Sequence, residues 1–292
     1  MDSTTYNKEY LSIKEFSELA GMTVDALRLY DKKGILKPAM HGEEFKNSYR
    51  YYYAPTQVVS AKMTRVLAEI GVPLSVIKEL TENRTPEKLI KLLTKQHGIV
   101  ADELRFLSES LSVIGTFLNL MVEGVSATEN ELIAKELPER RLILGGTNEF
   151  ADTNGFYREF VHFCIAPHEQ KLNLSYPIGG YFDSMDEFMH TPSQPTRFFS
   201  LDPKGSDKRA AGLYLIGYTR GYYGTTNGLP KRMADDAKKD GLVFTGPVYN
   251  TYLFDEMSIA DTGQYLLQVA ASVKETRRSP SRRPSLNLRN KG

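Results

Sequence analysis

Apolar residues recur at helical spacing through the first eighty positions, broken by short polar stretches. Ile13, Phe16, Leu19 and Ala20 fall on one helical face. They follow Ser12-Ile13-Lys14-Glu15, a capping-box signature in which serine hydroxyl and glutamate carboxylate satisfy each other's backbone donors. Gly21-Met22 interrupts the pattern, and Thr23 can cap a second helix running through Ala26 and Leu27 to Tyr30. Two short helices around a tight glycine turn predict a helix-turn-helix, although an ordinary αα-hairpin fits the same pattern. The aromatic stretch SYRYYY (48–53) reads as a short strand, and the polar HGEEFKN before it suits a wing. Pro55-Thr56 opens a further helix with Val58, Ala61, Met63, Val66, Leu67 and Ile70 as its apolar positions. Gly71-Val72-Pro73 stops it, and LSVIKELTE supplies one more short helix. Residues 1–84 therefore read as a winged helix-turn-helix head.

A narrower stripe follows. Thr85-Pro86-Glu87 is a strong helix start, with a capping Thr, Pro at the first position and an acid at the positive dipole end. Leu89, Leu93, Gln96, Val100, Leu104, Leu107, Leu111, Ile114, Leu118 and Met121 then recur at steps of three and four, a heptad-like seam. A helix over 85–123 with so thin a stripe is expected to pair with its copy in a second chain. Packing against its own C-terminal domain is the alternative. Gly98 and Gly115 weaken the helix locally.

The polar stretch 124–137 is expected to be a linker, and beyond it the periodicity alternates. Strands are predicted at 141–147, 178–183 and 197–201 around a helix near 154–165. A second set has strands at 212–218, 247–254 and 265–273 around a helix near 229–240. The order strand, helix, strand, strand occurs twice over 138–273, which predicts two sheets side by side with a cleft between them. Within the last set, GPVYNTY (246–252) predicts a strand with one face lined by tyrosine rings. Residues 274–292 are basic and Pro/Ser-rich without apolar period, and are expected to be a disordered tail.

Composition changes this picture little, but it removes options. Hydrophobic residues at 41% and charged residues at 25% are ordinary for a globular chain. The longest run without a charge, Gly241 to Phe254, is 14 residues, too short to span a bilayer. The first residues lack the basic-then-apolar export pattern, and the single cysteine, Cys164, forms no internal disulfide. A cytoplasmic protein without a membrane partner is expected. Net charge is +1 overall and +1 over residues 1–84, so DNA binding has to be argued from motif rather than bulk charge. Residues 126–273 carry −5.

The succession LSIKEFSELAGMTVDALRLYDKKGILKP, then SYRYYYAPTQV, strongly resembles the MerR family of transcription regulators. The family's pattern is matched at Ala26-Leu27-Arg28-Leu29-Tyr30-Asp31 and at Tyr49-Arg50-Tyr51. Residues from about 138 to 273 resemble the GyrI-like effector-binding domain of the multidrug-sensing branch. There GPVYNTY matches the family's Gly-Pro-x-Tyr-acid-x-Tyr except at the acidic position, which is Asn250. The resemblance implies an α+β architecture: a winged helix-turn-helix head, a long antiparallel coiled-coil helix joining a homodimer, and a duplicated β-α-β-β ligand domain. It also implies a transcription activator that binds double-stranded promoter DNA whose two polymerase boxes lie too far apart. Bending and untwisting that spacer for RNA polymerase is costly but realigns the boxes.

Site residues follow from the same matches. Thr23, Val24 and Asp25 open the recognition helix, where base-edge contacts are usually made. Arg28 and Tyr30, with Tyr49, Arg50 and Tyr51 in the wing, are expected to hold phosphates, as are Lys62 and Arg65 beyond it. For each charge a solvated surface residue is the bland alternative. Tyr157, Tyr181, Tyr218, Tyr222, Tyr249, Tyr252 and Tyr265 are candidates for an aromatic cleft that holds a small hydrophobic or aromatic effector. Sheet packing is the bland alternative, and Tyr157, Tyr249 and Tyr265 fall where the resemblance places pocket tyrosines. In drug-sensing relatives the acid at position 250 pairs with the ligand's positive charge. An amide offers hydrogen bonds without charge, so weaker cation selectivity is expected. Asp183, Asp186 or Glu187 are possible substitutes.

Other functions find less support. Metal sensing would need cysteines near the end of the long helix, and residues 110–135 have none. His41, His97, His162, His168 and His190 show no ligand spacing, so no metal and no cofactor are expected. Some GyrI-like domains are hydrolases, but those need a pocket acid, and Asn250 removes it. No catalytic residues are expected. A DNA-bending protein without an effector is the remaining alternative.

Overall fold

The computed structural model describes residues 9–42, 50–150, 155–169 and 176–276. The chain divides into two compact units, 1–108 and 109–292, with the boundary inside one long helix.

In the first unit, α1 (Ile13–Ala20) is held at its start by the capping box, with Ser12 N–H and Oγ both donating to Glu15. Gly21 ends it in the left-handed region at φ 65°, a conformation that penalises any Cβ. Helix α2 (Val24–Lys32) is capped by Thr23, whose Oγ1 accepts from the Ala26 N–H at 3.1 Å. Strands β2 (Met40–Gly42) and β3 (Arg50–Tyr53) form the wing, joined on the far side of β3 by the two-residue β1 (Leu11–Ser12). Strand β1 was not expected, because a two-residue strand has no period to detect. Helices α3 (Gln57–Glu69) and α4 (Leu74–Glu82) complete a core around Phe16, Leu27, Tyr53, Leu67 and Ile77. Phe16 and Tyr53 stack with ring centroids 4.3 Å apart.

Helix α5 (Pro86–Ser126) runs 41 residues. Its seam is bare: Leu104, Leu107, Leu111, Ile114 and Leu118 are exposed. A separate stripe of Thr116, Leu120 and Gly124 is buried, Leu120 in the core of the second unit and Gly124 against Phe254. The end of the helix thus has two apolar faces, and only one is covered.

The second unit is built on one antiparallel sheet of eight strands. In order across it these are β4 (Leu132–Leu137), β9 (Gly212–Arg220), β11 (Leu266–Glu275), β10 (Leu242–Phe254), β6 (Ile178–Phe182), β7 (Arg197–Ser200), β5 (Arg140–Leu144) and β8 (Asp207–Arg209). The two β-α-β-β halves are β5-α6-β6-β7 and β9-α8-β10-β11, where α6 is Gly155–Glu169 and α8 is Leu229–Asp240. A short α7 (Met185–His190) follows β6. Two separate sheets were expected. Instead β10 pairs directly with β6, from Val248↔Phe182 to Thr251↔Gly179, and fuses the halves into one. Gly179 and Gly180 permit the close fit, since a Cβ on either would collide with Asn250 and with Phe199 or Pro195. The expected linker 124–137 also differs: it holds the last turn of α5 and edge strand β4, whose largely exposed LIAKEL carries no alternation to read.

Successive residues of β10 face opposite sides of the sheet. Val248, with Leu267, Val269 and Phe182, packs under α7 and α8, while Tyr249 and Leu253, with Ile216 and Ala270, pack with Leu120 of α5.

Candidate functional site

The head presents two sets of the expected DNA-facing residues. Thr23, Asp25 and Arg28 are exposed on the first turns of α2 and Val24 is half-buried. Arg28 Nη1 pairs with Asp25 Oδ1 at 3.2 Å, both side chains open to water, an interaction weak enough to yield to a phosphate. Lys62 is exposed on α3. Arg65 is more committed: its guanidinium lies beside Gly21 of the turn and bonds Glu69 at 3.1 Å. Tyr30 departs from its expected place on phosphate. It is 8% exposed, its ring is part of the core, and burial pushes its hydroxyl pKa up. Tyr51 is half-buried against the same core. Tyr49 and the Arg50 side chain lie outside the described residues.

In the second unit, Asn250 lies on the helix side of the sheet. Its Oδ1 accepts the Gly180 N–H, and its amide nitrogen has no hydrogen-bond partner among the described residues. It lines a cavity of about 80 Å³ walled by Phe156 and Phe160 of α6, Phe198 of β7, Tyr223 and Tyr252. Phe156 and Phe160 both meet Phe198 edge-on at 5.4 Å. At its rim four rings cluster: Tyr223 contacts Tyr252 at 4.6 Å, Tyr222 at 5.3 Å and Tyr265 at 5.6 Å. The Tyr252 hydroxyl accepts the Gly224 N–H at 3.1 Å, and burial pushes its pKa up to about 12. Burial raises the Tyr223 hydroxyl further, reinforced by its hydrogen bond to Glu256. Among the described residues no carboxylate lines this cavity. Asp183, Asp186 and Glu187 are absent from its walls as well.

The expected tyrosine set is split. Tyr222, Tyr252 and Tyr265 gather beside Asn250, whereas Tyr181, Tyr218 and Tyr249 belong to the opposite face of the sheet. Tyr249 and Tyr252 are three residues apart, so alternation sends their rings to opposite faces, and the one ring-lined face expected of GPVYNTY is corrected accordingly. Tyr157 is 64% exposed and touches Phe156 rather than the cavity. Phe156, Phe160, Phe198 and Tyr223 were missed. The i,i+4 spacing of Phe156 and Phe160 on a helix was the available signal.

Among the described residues no group of His, Cys, Asp and Glu could hold a metal. Cys164 is half-buried, with its thiol pKa raised by burial, the opposite of a reactive thiolate.

A helix-turn-helix head with a wing, a long helix and a C-terminal sheet domain define a DNA-binding regulator. Residues 11–84 match the family model described as "MerR HTH family regulatory protein". The chain is 24% identical over 274 residues to the multidrug-efflux transporter 2 regulator of Bacillus subtilis (strain 168), covering 92% of this chain and 98% of the relative. It is 36% identical over 101 residues to that organism's multidrug-efflux transporter 1 regulator, 35% of each chain. Among solved structures, the EcmrR–DNA complex in EcmrR-RPo superposes with a TM-score of 0.37 at 16% identity, covering 91% of this chain and 100% of that one. A hydrolase encoded by lin2189 from Listeria innocua superposes at 0.33 with 10% identity, covering 52% of this chain and 96% of that one. Residues 11–84 thus carry a MerR-type helix-turn-helix, and over nearly its full length the chain is similar to a regulator of a multidrug-efflux transporter.

Proposed function

We propose that this regulator acts in the cytoplasm as a homodimer, joined through antiparallel α5 helices, and senses an uncharged aromatic compound in the Asn250 cleft. The observation that carries the reading is the lining of that cleft: aromatic rings on several sides and an amide where drug-sensing relatives have an acid. Aromatic walls attract planar apolar ligands, and the Asn250 Nδ2 amide group offers N–H donors to orient them. Small-molecule sites usually hold roughly 300–1,000 Å³, so the ligand enters by displacing the Phe156 and Phe160 rings that fill the cleft. Thr23, Val24, Asp25 and Arg28 face promoter DNA, Lys62 and Arg65 reinforce the phosphate grip, and RNA polymerase engages the distorted spacer. Ligand must favour one DNA-bound conformation over the other, since equal affinity for both would shift nothing. The reading is of a sensor rather than an enzyme: among the described residues no acid lines the cleft to act as base.

Titrating the full chain with a cationic dye and a neutral dye of the same shape, followed by fluorescence anisotropy, tests this. Equal or better binding of the neutral dye is expected. A strong preference for the cation would overturn the amide argument.

A further inference from the structure

On the opposite face of the sheet, Arg140 of β5 and Arg209 of β8 are directly paired across the antiparallel ladder. Like charges in that position destabilise a sheet. Neither guanidinium has a carboxylate within 4 Å among the described residues. The Arg140 guanidinium has no hydrogen-bond partner among the described residues, and the buried Nε of Arg209 is unpartnered while its Nη2 donates to the Pro138 carbonyl at 3.2 Å. The nearby acid, Glu123 of α5, is turned aside: its Oε1 accepts from Gln268 at 2.6 Å and from the Tyr218 hydroxyl at 3.4 Å. Burial disfavours the charge on both arginines, and for Arg140 the neighbouring Arg209 adds to it. Lys135 brings a third cation to a groove of about 360 Å³, whose apolar wall is Val122, Leu137 and Ile216. This concentration of positive charge lies in a segment, 126–273, whose net charge is −5.

We propose that this groove is a second effector site, for a small organic carboxylate with an apolar body. The carboxylate bridges Arg140 and Arg209 and relieves their repulsion, as planar guanidinium groups bind such anions in a bidentate way. The body lies along Val122 and Ile216. The site adjoins the last turns of α5, which contribute Asn119 and Glu123, so the anion acts on the helix end rather than on the aromatic cleft.

Calorimetric titration of the full chain with benzoate, and with benzamide as its neutral isostere, tests the proposal. Saturable benzoate binding at one site per chain is expected, with benzamide and Arg140→Gln each weaker by roughly tenfold or more. Lys135→Gln, an exposed change that spares the fold, should weaken binding less but in the same direction. Phe160→Ala, in the aromatic cleft, should leave benzoate binding unchanged. No saturable benzoate binding, binding shared equally by benzamide, or binding lost in Phe160→Ala but retained in Arg140→Gln would each overturn it.

Discussion

Tyr252 shows how one side chain couples the cleft to its surroundings. Its ring touches Tyr223, its hydroxyl accepts the Gly224 N–H, and burial raises its pKa from 10.0 to about 12. A buried tyrosine resists ionising, so the folded state holds its proton where the unfolded chain has released it. The stability that follows is fully present below about pH 10 and is lost as pH rises toward about 12. Tyr252→Phe removes this titration while keeping the ring. The stability gap between wild type and Tyr252→Phe, measured by urea unfolding, should therefore narrow across that window. Parallel curves would mean that Tyr252 ionises freely. Tyr249, three residues earlier, was assigned to the same cleft. Counting by two along β10 would have separated the rings, so this part of the site was legible in the sequence and was misread. Phe198 was not legible, because only the pairing of β7 with β6 brings it to the cleft.

At the scale of elements, the turn between α1 and α2 sets the direction of α2, the helix proposed above to face DNA. Gly21 ends α1 at φ 65°, and a Cβ there would sit 3.7 Å from the Arg65 guanidinium carbon, an ordinary contact. The cost of Gly21→Ala is thus conformational alone, about 1–2 kcal/mol. Denaturation should register that loss, and promoter binding by gel shift should weaken with it as α2 loses its fixed orientation. An unchanged stability would show that the turn relaxes without strain. Helices α1 to α5 were legible because caps, glycine stops and apolar period are local signals. Strands β1 and β4 were not: one is two residues long, the other is an edge strand with polar residues on both faces, and each exists only through a distant partner.

At the scale of the whole molecule, α5 decides how the chain exists in solution. Leu104, Leu107, Leu111, Ile114 and Leu118 stand 56–72% exposed, and burying one such side chain contributes roughly 1.5–3 kcal/mol. By length and composition alone the helix also passes for a membrane span, its most apolar 18-residue window having a mean hydropathy of 1.2 with 6% of the residues buried. The spacing argues for the first use of those leucines. They recur at threes and fours along a stripe, whereas a lipid-facing helix is apolar all round, and Arg105 and Glu109 lie between them. The proposed pairing with a second copy would bury the stripe and bring two heads to one pseudo-palindromic site. Sedimentation velocity should find a dimer for the wild type and a monomer for Leu111→Glu/Leu118→Glu, two charges set against a partner's seam. The double variant should keep its circular dichroism, since both positions are exposed, yet bind promoter DNA far more weakly. A wild-type monomer, or a double variant that stays dimeric, would refute pairing through this stripe and move the dimer contact elsewhere.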